Sequence, residues 1–271
     1  MSAMRKTSRI VVRLDSIGAA SPALRAIAQL AHAMEAEFAA RFIEDRRLLD
    51  ALAFGPSPTS SDPKASLRHV ERNLRRQIAS IAAETQTAWS FDIAQCSGIF
   101  AAECALHADD LLAIALPEVE AMMSMLREEI STGLARSSGV LLMPRAQAPA
   151  NHRPVVGMVM REASLAQVVG ASMEIAARTR QPLAFVVAED GELLAHVRKA
   201  VAAQWNRPGV VPLHAVPTGQ MEFLAAQVRS LRPRLVVAAP PRAVIAELLA
   251  RPRLLREVGA PILLLPAGDS D

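Results

Sequence analysis

The sequence repeats itself, and the repeat decides most of what the chain can fold into. The run Ile10-Val-Val-Arg-Leu-Asp15 matches Val155-Val-Gly-Met-Val-Met160 at an offset of 145 residues. Without a gap, the same offset aligns Phe38-Ala-Ala-Arg-Phe-Ile-Glu-Asp45 with Leu183-Ala-Phe-Val-Val-Ala-Glu-Asp190. Between them lie two alanine-rich helical patterns, 22–35 and 164–179. Further on, Leu111-Leu-Ala-Ile-Ala-Leu-Pro117 matches Leu235-Val-Val-Ala-Ala-Pro-Pro241 at an offset of 124, and Val140–Pro144 matches Ile262–Pro266 at 122. The fall in offset puts about 21 extra residues in the first half, between its second and fourth strands. The stretch Phe54-Gly-Pro-Ser-Pro-Thr-Ser-Ser-Asp-Pro63 sits there and reads as an exposed loop. We therefore expect a first domain over 1–146, a linker at 147–152 and a second domain over 153–271.

Each half reads as five strands alternating with four helices. In half one the strands are expected near 9–14, 37–44, 88–95, 110–116 and 140–143, and the helices near 22–35, 65–86, 99–107 and 118–136. In half two the strands are expected near 154–160, 182–188, 210–216, 234–239 and 261–265, and the helices near 164–180, 191–205, 220–231 and 242–257. Several strands are near-continuous apolar runs, as strands covered by helices on both faces must be. Strand–helix alternation with right-handed crossovers gives an α/β fold of two tandem, doubly wound, parallel five-stranded sheets. Pro208, Pro212 and Pro217 blur the bounds of the third strand of half two.

Composition narrows the class. Of the 271 residues 51% are hydrophobic, enough for real cores. No window holds 18 uncharged apolar residues, so no membrane insertion is expected. The opening Met1–Arg9 is basic but leads into a strand-like run and not a cleavable apolar segment. Two cysteines form no disulfide framework, and a cytoplasmic protein is the expectation. The pI of about 9.4 reflects a formal charge of only +3, with the two signs interleaved. All basic residues except Lys6, Lys64 and Lys199 are arginine. Their one concentration, Arg68, Arg72, Arg75 and Arg76, falls on a helical pattern and reads as a solvated face. Aromatic residues make up 3% of the chain, with no tyrosine, which argues against a stacking platform for nucleic acid.

Two α/β halves in this order resemble the tandem form of the universal stress protein family. The likeness rests on four features: the opening strand Ile10-Val-Val-Arg-Leu-Asp15-Ser16; the alanine-rich helix after it; a second strand ending Ile43-Glu44-Asp45; and an aliphatic closing strand ending in proline in each half. The resemblance implies pairing of the closing strands, Val140–Met143 with Ile262–Leu265, within the chain. An unpaired aliphatic edge would also be an aggregation hazard. Family members that bind ATP share a glycine-rich loop after the fourth strand, where backbone amides at a helix start meet the phosphates. Here half one has Leu116-Pro117-Glu118-Val119-Glu120 at that place, and half two has Ala239-Pro240-Pro241-Arg242-Ala243. Proline removes the amide donors and glutamate repels a triphosphate. The family's nucleotide-contacting aspartate matches Asp15 in half one but falls on Met160 in half two.

The site this leaves is a reduced adenine-nucleotide site in half one, built on Asp15, Ser16 and the backbone of Ile43. Asp15 would meet a nucleoside at the carboxyl end of a first strand, or else cap the turn that follows. Arg242 could meet a phosphate or sit solvated in a first turn. Cys96, Cys104 and His107 lie close in sequence, but their spacing is not that of a zinc site, so an inert thiol pair is expected. Met122, Met123, Met125 and Leu126 read as core or as an adaptable partner surface. No nucleophile–base pair can be named. The reading is a non-catalytic scaffold or regulatory interaction module of the stress-protein type, without cofactor and forming a homodimer. Its alternatives are an ATP- or AMP-binding stress protein and a weak ATP hydrolase of the same fold group.

Overall fold

A computed structural model describes residues 7–14, 22–45, 63–96, 106–115, 123–144, 152–188, 190–217, 221–251, 255 and 257–266. Half one runs β1 (Arg9–Arg13), α1 (Pro22–Ala33), β2 (Glu37–Asp45), α2 (Pro63–Thr85), β3 (Trp89–Cys96), β4 (Asp110–Ala115), α3 (Met123–Arg136) and β5 (Gly139–Met143). Half two runs β6 (Val155–Val159), α4 (Glu162–Thr179), β7 (Leu183–Ala188), α5 (Gly191–Gln204), β8 (Leu213–Val216), α6 (Met221–Ser230), β9 (Leu235–Ala238), α7 (Arg242–Ala250) and β10 (Ile262–Leu264). The last helix expected in half two is interrupted at Arg251, and beyond it Leu255, Glu257 and Val258 are helical again. Of the helix expected over 99–107, residues 99–105 lie outside the described residues, and Leu106 and His107 are not helical.

The strands lie in the order β3-β2-β1-β4-β5-β10-β9-β6-β7-β8. Each half is thus a parallel five-stranded block of doubly wound order, its direction of winding reversing at β1/β4 or at β6/β9. The two blocks are not separate sheets. They join into one ten-stranded sheet, because the closing strands β5 and β10 pair antiparallel. This is the pairing expected of two charge-free aliphatic edges, and it leaves neither exposed. Its register is Val140 opposite Leu264, Leu141 opposite Leu263 and Leu142 opposite Ile262. At the offset of 122, Leu141 and Leu263 are equivalent residues, so the pair lies on a pseudo-two-fold axis within one chain. Other equivalent elements also meet across this axis. α1 packs on α4, and α3 on α7. The guanidinium of Arg178 donates to the carbonyl of Met34 at 2.8 Å.

Gly139 makes the junction possible. A Cβ there would lie 2.7 Å from the carbonyl oxygen of Leu264, and backbone cannot swing away. Gly139→Ala should therefore lower stability by about 1–3 kcal/mol, read as a lower melting temperature, without changing helix content.

One face of the sheet is covered by α1, α2, α4 and α5, the other by α3, α6 and α7. The helices form for the usual amphipathic reason. In α1, Ala23, Leu24, Ile27, Ala28 and Ala31 make one buried stripe. Both α1 and α4 stop in a left-handed residue at equivalent positions, Glu35 and Arg180, each followed by a backbone bond five residues back. The halves differ on the second face. In half two, Val156, Met158, Ala184 and Val186 lie under Met221, Leu224 and Val228 of α6. In half one the same face of β1 and β2 carries Arg9, Arg13 and Arg41, which pair with Asp110, Glu129 and Asp92 at 2.6, 2.7 and 3.8 Å.

Candidate functional site

The crevice of a doubly wound block lies beyond the carboxyl ends of its strands. In half one Asp15 and Ser16, expected there, lie outside the described residues, as do 116–122. Ile43 is described as part of β2, in register with Ala94. The amide of Phe38 donates to the carbonyl of Ala88, the residue before β3, so odd-numbered residues of β2 turn their backbone groups toward β1. The amide of Leu14 accordingly donates to the carbonyl of Arg41. Ile43 is two residues further on, and its backbone N–H and C=O face the side on which β1 has ended.

Half two contains the equivalent positions, and there they converge. At the offset of 145, Asp15, Ser16 and Ile43 correspond to Met160, Arg161 and Ala188. All three line one open cleft of about 540 Å³, together with Glu162, Asp190, Glu192 and Leu193. In half two these three positions share one crevice, and the residues that fill them differ from those of half one. The first carboxylate is a thioether, and the small hydroxyl is an arginine.

The electrostatics of this cleft disfavour anions. Its lining holds one basic residue, Arg161, and three acidic ones, Glu162, Asp190 and Glu192. The amides at the start of α5 are already engaged, since Asp190 Oδ1 accepts from Glu192 N–H at 2.9 Å and from Leu193 N–H at 3.4 Å. Glu162 meets His196 Nδ1 at 3.0 Å. On the other side of the switch point, β9 runs through Ala239 into Pro240, which is buried, and Pro241, which caps α7 without a side-chain bond. Neither proline has an N–H to offer. Arg242 begins α7, and its side chain is not among those described.

The remaining candidates do not assemble into a site. Cys96 ends β3, Cys104 lies outside the described residues, and the backbone N–H of His107 donates to Asp110. Among the described residues no group of three His, Cys, Asp or Glu is placed to hold a metal ion. Met122 lies outside the described residues, and the side chains of Met123, Met125 and Leu126 are not described. Arg68, Arg72, Arg75 and Arg76 are exposed along α2, as a solvated face would be. No helix among the described residues is long and apolar enough to cross a membrane.

The sequence reading missed Asp110. Its carboxylate is fully buried at the amino end of β4, opposite the crevice end. It accepts from Arg9 Nε at 2.9 Å and Arg9 Nη2 at 2.6 Å, from the His107 amide at 2.8 Å and from the Ser8 hydroxyl at 3.3 Å. Burial alone would push this carboxyl up. The Arg9 fork and the His107 amide outweigh it and hold the group below the ordinary aspartate range. The same bonds raise Arg9 above its usual value. An aspartate just before an apolar strand reads as a turn residue, and the only sequence signal for its role is an arginine at the start of the neighbouring strand.

Solved structures place this architecture. The chain is similar to a universal stress protein from Archaeoglobus fulgidus DSM 4304, with a TM-score of 0.62 and 11% identity, covering 98% of this chain and 99% of that one. The universal stress protein fold is the fold of this chain. A putative universal stress protein from Pseudomonas aeruginosa UCBPP-PA14 shares that fold with a TM-score of 0.60 and 15% identity, over 96% of this chain and 94% of that one. So does the cytoplasmic domain of a prokaryotic cation chloride cotransporter, with a TM-score of 0.58, 14% identity and 97% of each chain covered. No family model matches the sequence, and neither does any curated protein. Within the universal stress protein fold, the half-two cleft lies at the carboxyl ends of the first two strands of its block.

Proposed function

We propose that this chain is a non-catalytic interaction module, a cytoplasmic scaffold or regulator of the universal stress type, that has lost canonical nucleoside triphosphate binding in both halves. The observation that supports this most is the half-two crevice itself. Its lining carries three acidic residues and one arginine, Met160 stands in place of the aspartate, and Pro240 and Pro241 stand where a phosphate needs amides. The likeness to a transporter's cytoplasmic domain supports a role through contact with other proteins. Calorimetry with ATP, AMP and a cyclic nucleotide tests the proposal, and the expected result is no binding in the micromolar range. Micromolar binding abolished by Asp15→Ala would overturn it.

A second reading concerns half one. The backbone of Ile43 faces the end of β1, and the half-two equivalents of Asp15, Ser16 and Ile43 share one cleft. This favours a reduced adenine-nucleotide site in half one over one in half two. Binding of AMP as tight as that of ATP would support it, because such a site lacks a phosphate loop. Turnover of ATP by the pure protein, lost with Asp15→Ala, would point instead to a hydrolase.

A further inference from the structure

The ten-stranded sheet ends in two unlike edges. The β8 edge has four residues, with Pro212 before it and Pro217 after it, so it is short and blunted. The β3 edge has eight residues, Trp89–Cys96, and no proline. Among the described residues, β2 is the only strand paired with it. Because Phe38 N–H donates to the Ala88 carbonyl, the even-numbered residues of β3 are bonded to β2. Trp89, Phe91 and Ile93 therefore direct their backbone N–H and C=O groups away from the sheet. The same three side chains share the face on which Phe91 is buried in the core and Arg75 of α2 stacks over its ring at 5.2 Å. Trp89 and Ile93 are 38% and 42% exposed, with Val70 of α2 also exposed. A long, proline-free edge with large apolar side chains invites another strand.

We infer that β3 pairs antiparallel with β3 of a second copy of this chain, in the register that sets Phe91 opposite Phe91. Self-complementarity argues for a second copy as the occupant. In that register every outward N–H and C=O of Trp89, Phe91 and Ile93 meets its counterpart. Trp89 of each copy lies opposite Ile93 of the other, a favourable aromatic with β-branched pair. On the opposite face Ser90 meets Asp92, so a hydroxyl faces a carboxylate. Moving the centre by one residue to Asp92 would oppose two carboxylates, and moving it to Ser90 would leave Ile93 out of the ladder. The sheet would then continue across the dyad into twenty strands. Arg75 of both copies comes near the dyad, so screening by salt strengthens the pairing.

Sedimentation of the full chain across the micromolar range tests this. The wild type should approach twice the 29.0 kDa of one chain, more completely at higher salt. Ile93→Lys places a charge in the seam, and Ile93→Pro removes an N–H that the single chain leaves unbonded within its own sheet, at an edge position where proline is tolerated. Each should weaken dimerisation by at least about tenfold while circular dichroism and melting stay close to wild type. A wild type of single-chain mass throughout, or a dimer that survives both substitutions with the fold intact, overturns the inference. If either variant fails to fold, Trp89→Lys decides in its place, with the same expected result.

Discussion

Gly157→Val will destabilise the protein by about 3 kcal/mol or more, and Phe185→Ala placed on top of it will restore most of the loss. Gly157 sits mid-strand in β6, in register with Phe185 of β7. A Cβ there would lie 2.3 Å from the Phe185 ring and 2.7 Å from Ser172 Oγ, and both side chains are fully buried. The corresponding trio in half one is Val12, Ala40 and Ile27, with Val12 in register with Ala40. The repeat has exchanged volume between positions, from valine, alanine and isoleucine in one half to glycine, phenylalanine and serine in the other. Phe185→Ala alone should cost about 3–5 kcal/mol for its cavity. The pair Gly157→Val with Phe185→Ala should cost less than either alone. Adding Ser172→Ile should close the remaining space and remove a hydroxyl that has no hydrogen-bond partner. Urea denaturation of the four variants measures the cycle. Additive losses in the double variant would show that the two halves do not share this packing problem.

Asp110→Ala should cost about 2–3 kcal/mol, because it removes the buried carboxylate that accepts from Arg9, the His107 amide and the Ser8 hydroxyl. Asp110→Asn keeps the shape and one acceptor but not the charge, and should cost somewhat less. The pH dependence follows from the direction of the shift. The folded-state carboxyl titrates below the unfolded one, so its contribution is complete above the ordinary aspartate range. That contribution is lost as pH falls through the ordinary value toward the lower folded one. Wild type should therefore lose stability in acid more steeply than Asp110→Asn, with the two melting curves converging at low pH. Parallel acid profiles would mean that the carboxylate is not what titrates.

Much of the architecture was legible in the residues. Apolar runs such as Ile10–Val12 and Val140–Met143 admit only buried strands, and the stripe in α1 admits only an amphipathic helix. Their repetition at fixed offsets fixed the order of elements. The junction of the two five-stranded blocks came from the family resemblance, which implies pairing of the closing strands, and the charge-free edges Val140–Met143 and Ile262–Leu265 agree with it; the register of that pairing was not legible. The half-two positions Met160, Arg161 and Ala188 are found by counting from Asp15, Ser16 and Ile43, whereas of the three acidic residues around them only Asp190 has an acidic counterpart in the matched runs, Asp45. The exchange at Gly157 and Phe185 was visible in the alignment as two unrelated mismatches, and only strand register makes them one event. The arginines of β1 and β2 were equally visible, but their acidic partners are brought to them by β4, α3 and β3 from distant parts of the chain.

The Leu141–Leu263 dyad carries a consequence for how the molecule can vary. In a dimer of identical subunits, each substitution near the axis is made twice, and the two copies face each other. Here each side carries its own codon, so a larger residue on one strand can be matched by a smaller one on the other. Covalent linkage also frees this pairing from dilution, since its local concentration is set by the length of the tether and not by how much protein the cell makes. A protein built this way can let one half drift in chemistry while the other keeps the shared framework upright.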